Sequence, residues 1–223
     1  MRKKLFAQAL AKLLAGALIM GALLFGSAGT LAYWNGWLLL EILFVPMLLV
    51  GAVLLVKSPS LLEKRLQAKE RQQDQAAVVK ASAVMFLCGF AAAGLQYRFR
   101  WLLLPRWVSL AAAAVFLAGY LLYARVLREN PWLSRTVEVQ NDQTVVDTGL
   151  YALVRHPMYS ATLLLFLAMP LVLGSWVAFA VFLAYPVLIL RRIRSEEALL
   201  LRELPGYGDY CRRVPWRLIP FLW

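Results

Sequence analysis

The side chains that build metal centres and disulfide frameworks are almost missing: one histidine and two cysteines occur in 223 residues. Cys88 lies in an apolar run and Cys211 in a basic tail, which is neither a disulfide framework nor metal-ligand spacing. A conventional zinc or haem site is therefore not expected. Acid is scarce too, with 12 Asp and Glu against 24 Lys and Arg, a formal net charge of +12. Inside the apolar runs the acid is Glu41 alone, so no pair of intramembrane charges marks a transport path. There is no internal repeat and no low-complexity segment.

What the chain has is apolar length. Hydrophobic residues make up 62% of it and mean hydropathy is +0.66, above the roughly 45–50% apolar content of soluble domains. They come in uncharged runs near the ~20 residues that a bilayer-spanning helix needs. In lipid the backbone must satisfy its own polar groups, and the short alternating segments of a β-barrel are not seen. The expected fold is all-α, a polytopic helical membrane protein. The basic residues sit at the ends of the apolar runs, as topology signals do, so no nucleic-acid partner is expected.

Six spans are predicted, over 10–32, 37–56, 76–95, 107–126, 158–173 and 176–191. Arg2, Lys3 and Lys4 precede the first, whose apolar stretch is long for a signal peptide, so an uncleaved span is expected. The last two are short and meet at Gly174-Ser175, which reads as a helical hairpin, with Pro170 and Pro186 as possible kink sites. The chain divides into four N-terminal spans (1–126) and a C-terminal region (127–223). Lys and Arg in the loops put both termini in the cytoplasm, with Arg98, Arg100 and Arg106 as an exception on the outer side. The segment 59–75 reads either as a surface helix resting Leu61, Leu62 and Leu66 on the membrane, or as a solvated connector.

The polar loop 127–157 and the charged tail after residue 191 leave the membrane on the same side if the hairpin turns round. They then converge over its base, where polar groups above an apolar cavity form a small-molecule site. Arg192 and Glu196, four apart, share a helix face. Taken alone, Arg191, Arg192 and Arg194 also read as a positive-inside anchor. In Arg155-His156-Pro157-Met158-Tyr159, Pro157 suits the first turn of a helix and His156 falls near its N-cap. Alone, that motif reads more readily as an interfacial helix start.

The pattern QTVVDTGLYALVRHPMY, an apolar hairpin, then EEALLLRELPGYGDYCRRVPWRLIP resembles the isoprenylcysteine carboxyl methyltransferase family and its wider phospholipid methyltransferase relatives, over about 129–223. The resemblance implies an integral membrane methyltransferase using S-adenosyl-L-methionine, and the short, Arg-rich character of the chain points to a bacterial cytoplasmic membrane. It implies a cofactor pocket walled by His156, Pro157, Met158 and Tyr159, by Tyr151 and by Gln143, Thr144, Val145 and Val146. Gln140, Glu196 and Glu197 join that set. Arg192 falls at the substrate-side arginine, with Tyr207 beside it. The expected acceptor is a lipophilic, isoprenoid-like or lipid-like carboxylate or amine. A carboxylate needs no base but does need an orienting cation, which Arg192 supplies as a bidentate fork. An amine would call on Glu197 or Tyr207 as base. Departures from the family pattern are Ser160 and Ala161, where a glycine is frequent, and LPGYGDY in the tail. Two other functions fit the hydrophobic pattern. One is an NADPH-dependent reductase of the sterol-reductase type, which usually carries RHPNYxGE; here Met158 stands at the Asn and no acid follows before Glu196. The other is a non-catalytic scaffold or permease.

Overall fold

The computed structural model describes residues 2–66, 73–134 and 138–223 and is helical wherever it is regular. In chain order the helices are α1 (Arg2–Ala28), α2 (Trp34–Lys57), α3 (Pro59–Leu66), α4 (Gln73–Phe99) and α5 (Arg106–Glu129). A 3-10 turn over Gly149–Ala152 follows, then α6 (Pro157–Val172), α7 (Trp176–Phe182), α8 (Ala184–Glu203) and α9 (Tyr207–Arg213). Five stretches are long and apolar enough to cross a membrane: α1, α2, Gln75–Phe99 of α4, α5, and Trp176–Glu203, which joins α7 to α8. The protein is an integral membrane protein. Its spans turn large apolar side chains outward; Leu18 and Leu121 are 73% and 74% exposed, a surface that lipid covers.

The hairpin forms as expected but unequally. Its first arm, α6, is 16 residues, which at ~1.5 Å per residue falls short of a ~30 Å hydrocarbon core. Gly174, at φ +70, makes the turn, and the Ser175 hydroxyl accepts the Ala178 N–H at 3.0 Å to cap the second arm. That arm does not end near residue 191. It breaks at Leu183, three residues before Pro186, because a proline ring cannot accept the preceding turn's geometry or donate to Phe182. It then continues to Glu203, so Arg191–Glu197 lie on the hairpin helix itself and not on a separate tail.

Packing follows from side-chain size. α5 lays Ala112, Ala113, Phe116 and Gly119 against Leu165, Ala168, Met169 and Val172 of α6. α4 stacks Phe86 edge-on against Phe166 and Phe182, with ring centroids at 4.9 and 5.3 Å. α1 meets α4 at Gly94, where a Cβ would stand 1.9 Å from Ser27 Oγ and 2.7 Å from the Leu24 carbonyl oxygen. Only a glycine permits that approach, the small-residue device of membrane helices.

The bundle has two polar ends. At one, Asn35 donates to the Val172 carbonyl at 2.7 Å and to Ser109 Oγ at 3.0 Å, and Tyr33 donates to the Leu173 carbonyl at 2.5 Å. Arg98, Arg100 and Arg106 lie over Phe99, Tyr97 and Trp34 at the same end. At the other end α3 caps the bundle. Leu61 and Leu62 are buried in the protein and do not rest on the membrane: Leu61 packs with Val126, Leu127, Tyr151 and Met158. The rest of the 59–75 stretch lies, over 67–72, outside the described residues.

Candidate active site at the base of the hairpin

Three segments meet at the α3 end. The tail runs alongside the RHP motif, with Arg155 N–H donating to the Trp216 carbonyl and His156 N–H to the Arg217 carbonyl, both at 2.9 Å. Ser160 Oγ donates to the Leu218 carbonyl at 2.6 Å, and the Tyr210 hydroxyl donates to the Tyr151 carbonyl at 2.7 Å. The loop after α5 is fixed by its own turns. Asn130 Nδ2 donates to the Tyr151 hydroxyl at 2.9 Å while Asn130 Oδ1 accepts the Trp132 N–H at 2.9 Å. Gly149, at φ +60, lets the chain pass close to Glu129, whose carboxylate accepts the Leu150 N–H at 2.7 Å.

Together they enclose a cavity of about 550 Å³, within the ~300–1,000 Å³ typical of small-molecule sites. Of the residues expected from sequence, Gln143, Thr144, Val145, Val146, Tyr151, His156, Met158, Tyr159, Arg192, Glu196 and Tyr207 line it. Gln140, Pro157 and Glu197 do not. Gln140 braces the loop, donating to the Trp132 carbonyl at 2.6 Å and accepting from Lys64. Pro157 is the buried first residue of α6. Glu197 is held behind the wall by two arginines and a histidine. Arg155 Nε is 2.7 Å and His156 Nε2 3.2 Å from its Oε1, and Arg217 Nε is 2.8 Å from its Oε2.

The polar floor is a relay between α6 and α8. Arg192 Nε donates to the Tyr159 hydroxyl at 3.0 Å, and that hydroxyl donates to Glu196. The Tyr207 hydroxyl, on a side chain 4% exposed, has no hydrogen-bond partner of standard geometry among the described residues, though the Cys211 thiol one turn on is within reach. Burial first, and then the Glu197 charge, push the Tyr207 phenol far above the ordinary tyrosine range. It stays protonated and acts as a donor. Burial likewise raises the Tyr151 phenol.

Several lining residues were not foreseen. Arg155, adjacent to the histidine and 8% exposed, is as much part of the wall as His156. Arg65 reaches in from α3, donating to the Ser134 carbonyl at 3.2 Å and to the Tyr123 hydroxyl. The apolar wall comes from α4, through Val78, Val79, Ala83 and Phe86. The arginine that opens the motif was a readable signal; the α4 face carries none, because its residues look like any other span. Among the described residues no three His, Cys, Asp or Glu side chains group as metal ligands.

The segment that builds most of this wall matches the family model described as isoprenylcysteine carboxyl methyltransferase (ICMT), over 108–202. Residues 108–202 are thus similar to the ICMT family. The ICMT region takes in α5, the loop, the RHP motif, the hairpin and α8. The tail with Tyr207 and Arg217 lies beyond it. Among curated proteins, a nickel-cobalt-cadmium resistance protein of Alcaligenes xylosoxydans xylosoxydans is 32% identical over 114 residues, 49% of this chain and 50% of the relative. A cobalt-zinc-cadmium resistance protein of Cupriavidus metallidurans is 32% identical over 85 residues, 38% of this chain and 39% of the relative. A Δ14-sterol reductase of Methylotuvimicrobium alcaliphilum is 25% identical over 135 residues, 52% and 31% of the two chains. The chain thus spans half or less of the length of these relatives.

Proposed function

We propose that the chain is a membrane methyltransferase that binds S-adenosyl-L-methionine in this cavity and methylates a lipophilic acceptor. The observation that carries the reading is that the ICMT region's loop, RHP motif and α8 wall a single cavity with a polar floor and an apolar side. The residues fit the cofactor. The Tyr207 hydroxyl is a buried donor with at most the weak Cys211 sulfur as acceptor, Glu196 offers an oxygen acceptor to an ammonium group, and Gln143–Val146 offer backbone to a base edge. When bound, the cofactor supplies an activated methyl group, so the protein's part is positioning.

Arg192 orients the acceptor, and the α4 face (Val78, Val79, Ala83, Phe86) takes its apolar part. A carboxylate acceptor is favoured over an amine. Tyr207 is held protonated, and Glu197 is occupied by Arg155, His156 and Arg217, so neither suits the base an amine requires. The loop-charge asymmetry supports a cytoplasmic position for this end of the bundle and for both termini.

A second reading, an NADPH-dependent reductase, draws on the sterol-reductase relative. Membranes containing the protein, incubated with methyl-labelled S-adenosylmethionine, discriminate. Base-labile label in the lipid extract, lost in Arg192→Ala, is expected. Base-stable label would move the acceptor to an amine. No label, together with NADPH-dependent reduction of a sterol-like lipid, would overturn the methyltransferase reading.

A further inference from the structure

Glu197 has a place in the site that its exclusion from the cavity conceals. Its carboxylate is the meeting point of α8, the RHP motif and the tail. Oε1 takes Arg155 Nε and His156 Nε2, and Oε2 takes Arg217 Nε. Arg155 is fixed further by the Val214 carbonyl at 3.1 Å and by its own backbone pairing with Trp216. His156, 5% exposed, does not cap α6 with its side chain although it occupies the N-cap position. Its ring is turned instead to Glu197, with the Tyr159 ring tilted alongside at 5.6 Å between centroids.

A carboxylate only accepts hydrogen bonds, so the nitrogen that faces it must carry the proton. Nε2 faces Glu197; Nδ1 has no protein partner among the described residues, and His156 lines the cavity. We propose that Glu197 is a positioning residue that locks His156 as the Nε2–H tautomer, so that Nδ1 presents a lone pair as an acceptor for an N–H donor of the bound ligand. The logic is that of a histidine whose outer nitrogen is oriented by a carboxylate so that the inner one is available. The inference rests on the cofactor reading only for the choice of probe.

The chain contains a single histidine, so ¹⁵N-imidazole labelling reports His156 without assignment. In detergent-solubilised protein the neutral ring is expected to show a protonated Nε2 and a bare Nδ1. An Nδ1–H ring in the wild type would overturn the proposal, with no variant required. On saturation with S-adenosylhomocysteine the Nδ1 resonance is expected to shift as an acceptor does. Probe binding without that shift would refute the acceptor role. Glu197→Gln keeps the volume but removes the charge. It is expected to weaken probe binding about tenfold, the effect of one weakened charge-assisted hydrogen bond, and to give a mixture of tautomers in a protein that still elutes as a monodisperse species. A wild-type tautomer population in Glu197→Gln would show that something else fixes the ring. If the wild type ignores S-adenosylhomocysteine but binds NADPH, the cofactor reading fails, and the same Nδ1 shift is then read with NADPH.

Discussion

Replacing Gly149 by alanine tests how tightly the loop is built. Gly149 sits at φ +60, where a Cβ costs about 1–2 kcal/mol. That Cβ would lie 2.5 Å from Glu129 Oε2, 2.6 Å from its Cδ and 2.8 Å from its Oε1. The carboxylate must move, and in doing so it gives up the Leu150 N–H, a charge-assisted bond worth about 1.5–3 kcal/mol. The exposed Arg125 partner at 2.9 Å contributes little by comparison. Together the two effects predict a loss of about 2.5–5 kcal/mol. At about 2–4 °C per kcal/mol for a chain of this size, Tm should fall on the order of 5–20 °C. Thermal unfolding in detergent, followed by tryptophan fluorescence, reads it. Glu129→Ala removes the collision and the bond together, so the double variant should lose clearly less than the two single losses added. A Gly149→Ala protein as stable as wild type, or strictly additive losses, would refute the reasoning.

Tyr207→Phe should leave the ligand-free protein about as stable as wild type, because the buried hydroxyl has at most the weak Cys211 sulfur as partner; its affinity for S-adenosylhomocysteine, by calorimetry, should drop several-fold. A loss of stability without a loss of affinity would place the hydroxyl outside ligand recognition. Burial raises the Cys211 thiol above its ordinary pKa, so less thiolate is present at any given pH. Its alkylation by iodoacetamide, followed by mass spectrometry, should lag behind that of the unfolded chain and catch up only as the pH rises past the ordinary thiol range. Equal rates would contradict the burial. Asn35→Leu, at the opposite end, strips the Val172 carbonyl and Ser109 of a donor and should cost about 1–3 kcal/mol, lowering Tm while ligand affinity is unchanged.

The helical membrane architecture was legible because lipid demands long apolar runs, and the hairpin because Gly174-Ser175 interrupts one. The extent of its second arm was not. Arg191 and Arg192 look like the end of a span, yet Arg191–Glu203 continue the helix with one face against the loop and tail. The polar lining was readable from RHPMY and the spacing of Arg192 and Glu196. Three things were not. Leu61 and Leu62 suggested a membrane-resting helix, but both are buried in the protein, Leu61 against Tyr151 and Met158. Glu197 looked interchangeable with Glu196, since neighbours on a helix differ by ~100° and the sequence gives no sign of which one turns inward. The α4 wall is an ordinary apolar face whose position depends on tertiary packing alone.

The most direct test of the central claim is calorimetric titration of the detergent-purified protein with S-adenosylhomocysteine and, separately, with NADPH. The account predicts saturable binding of S-adenosylhomocysteine, weakened by His156→Ala and Glu196→Gln in proteins that remain folded, and none of NADPH. Binding of NADPH alone would contradict it.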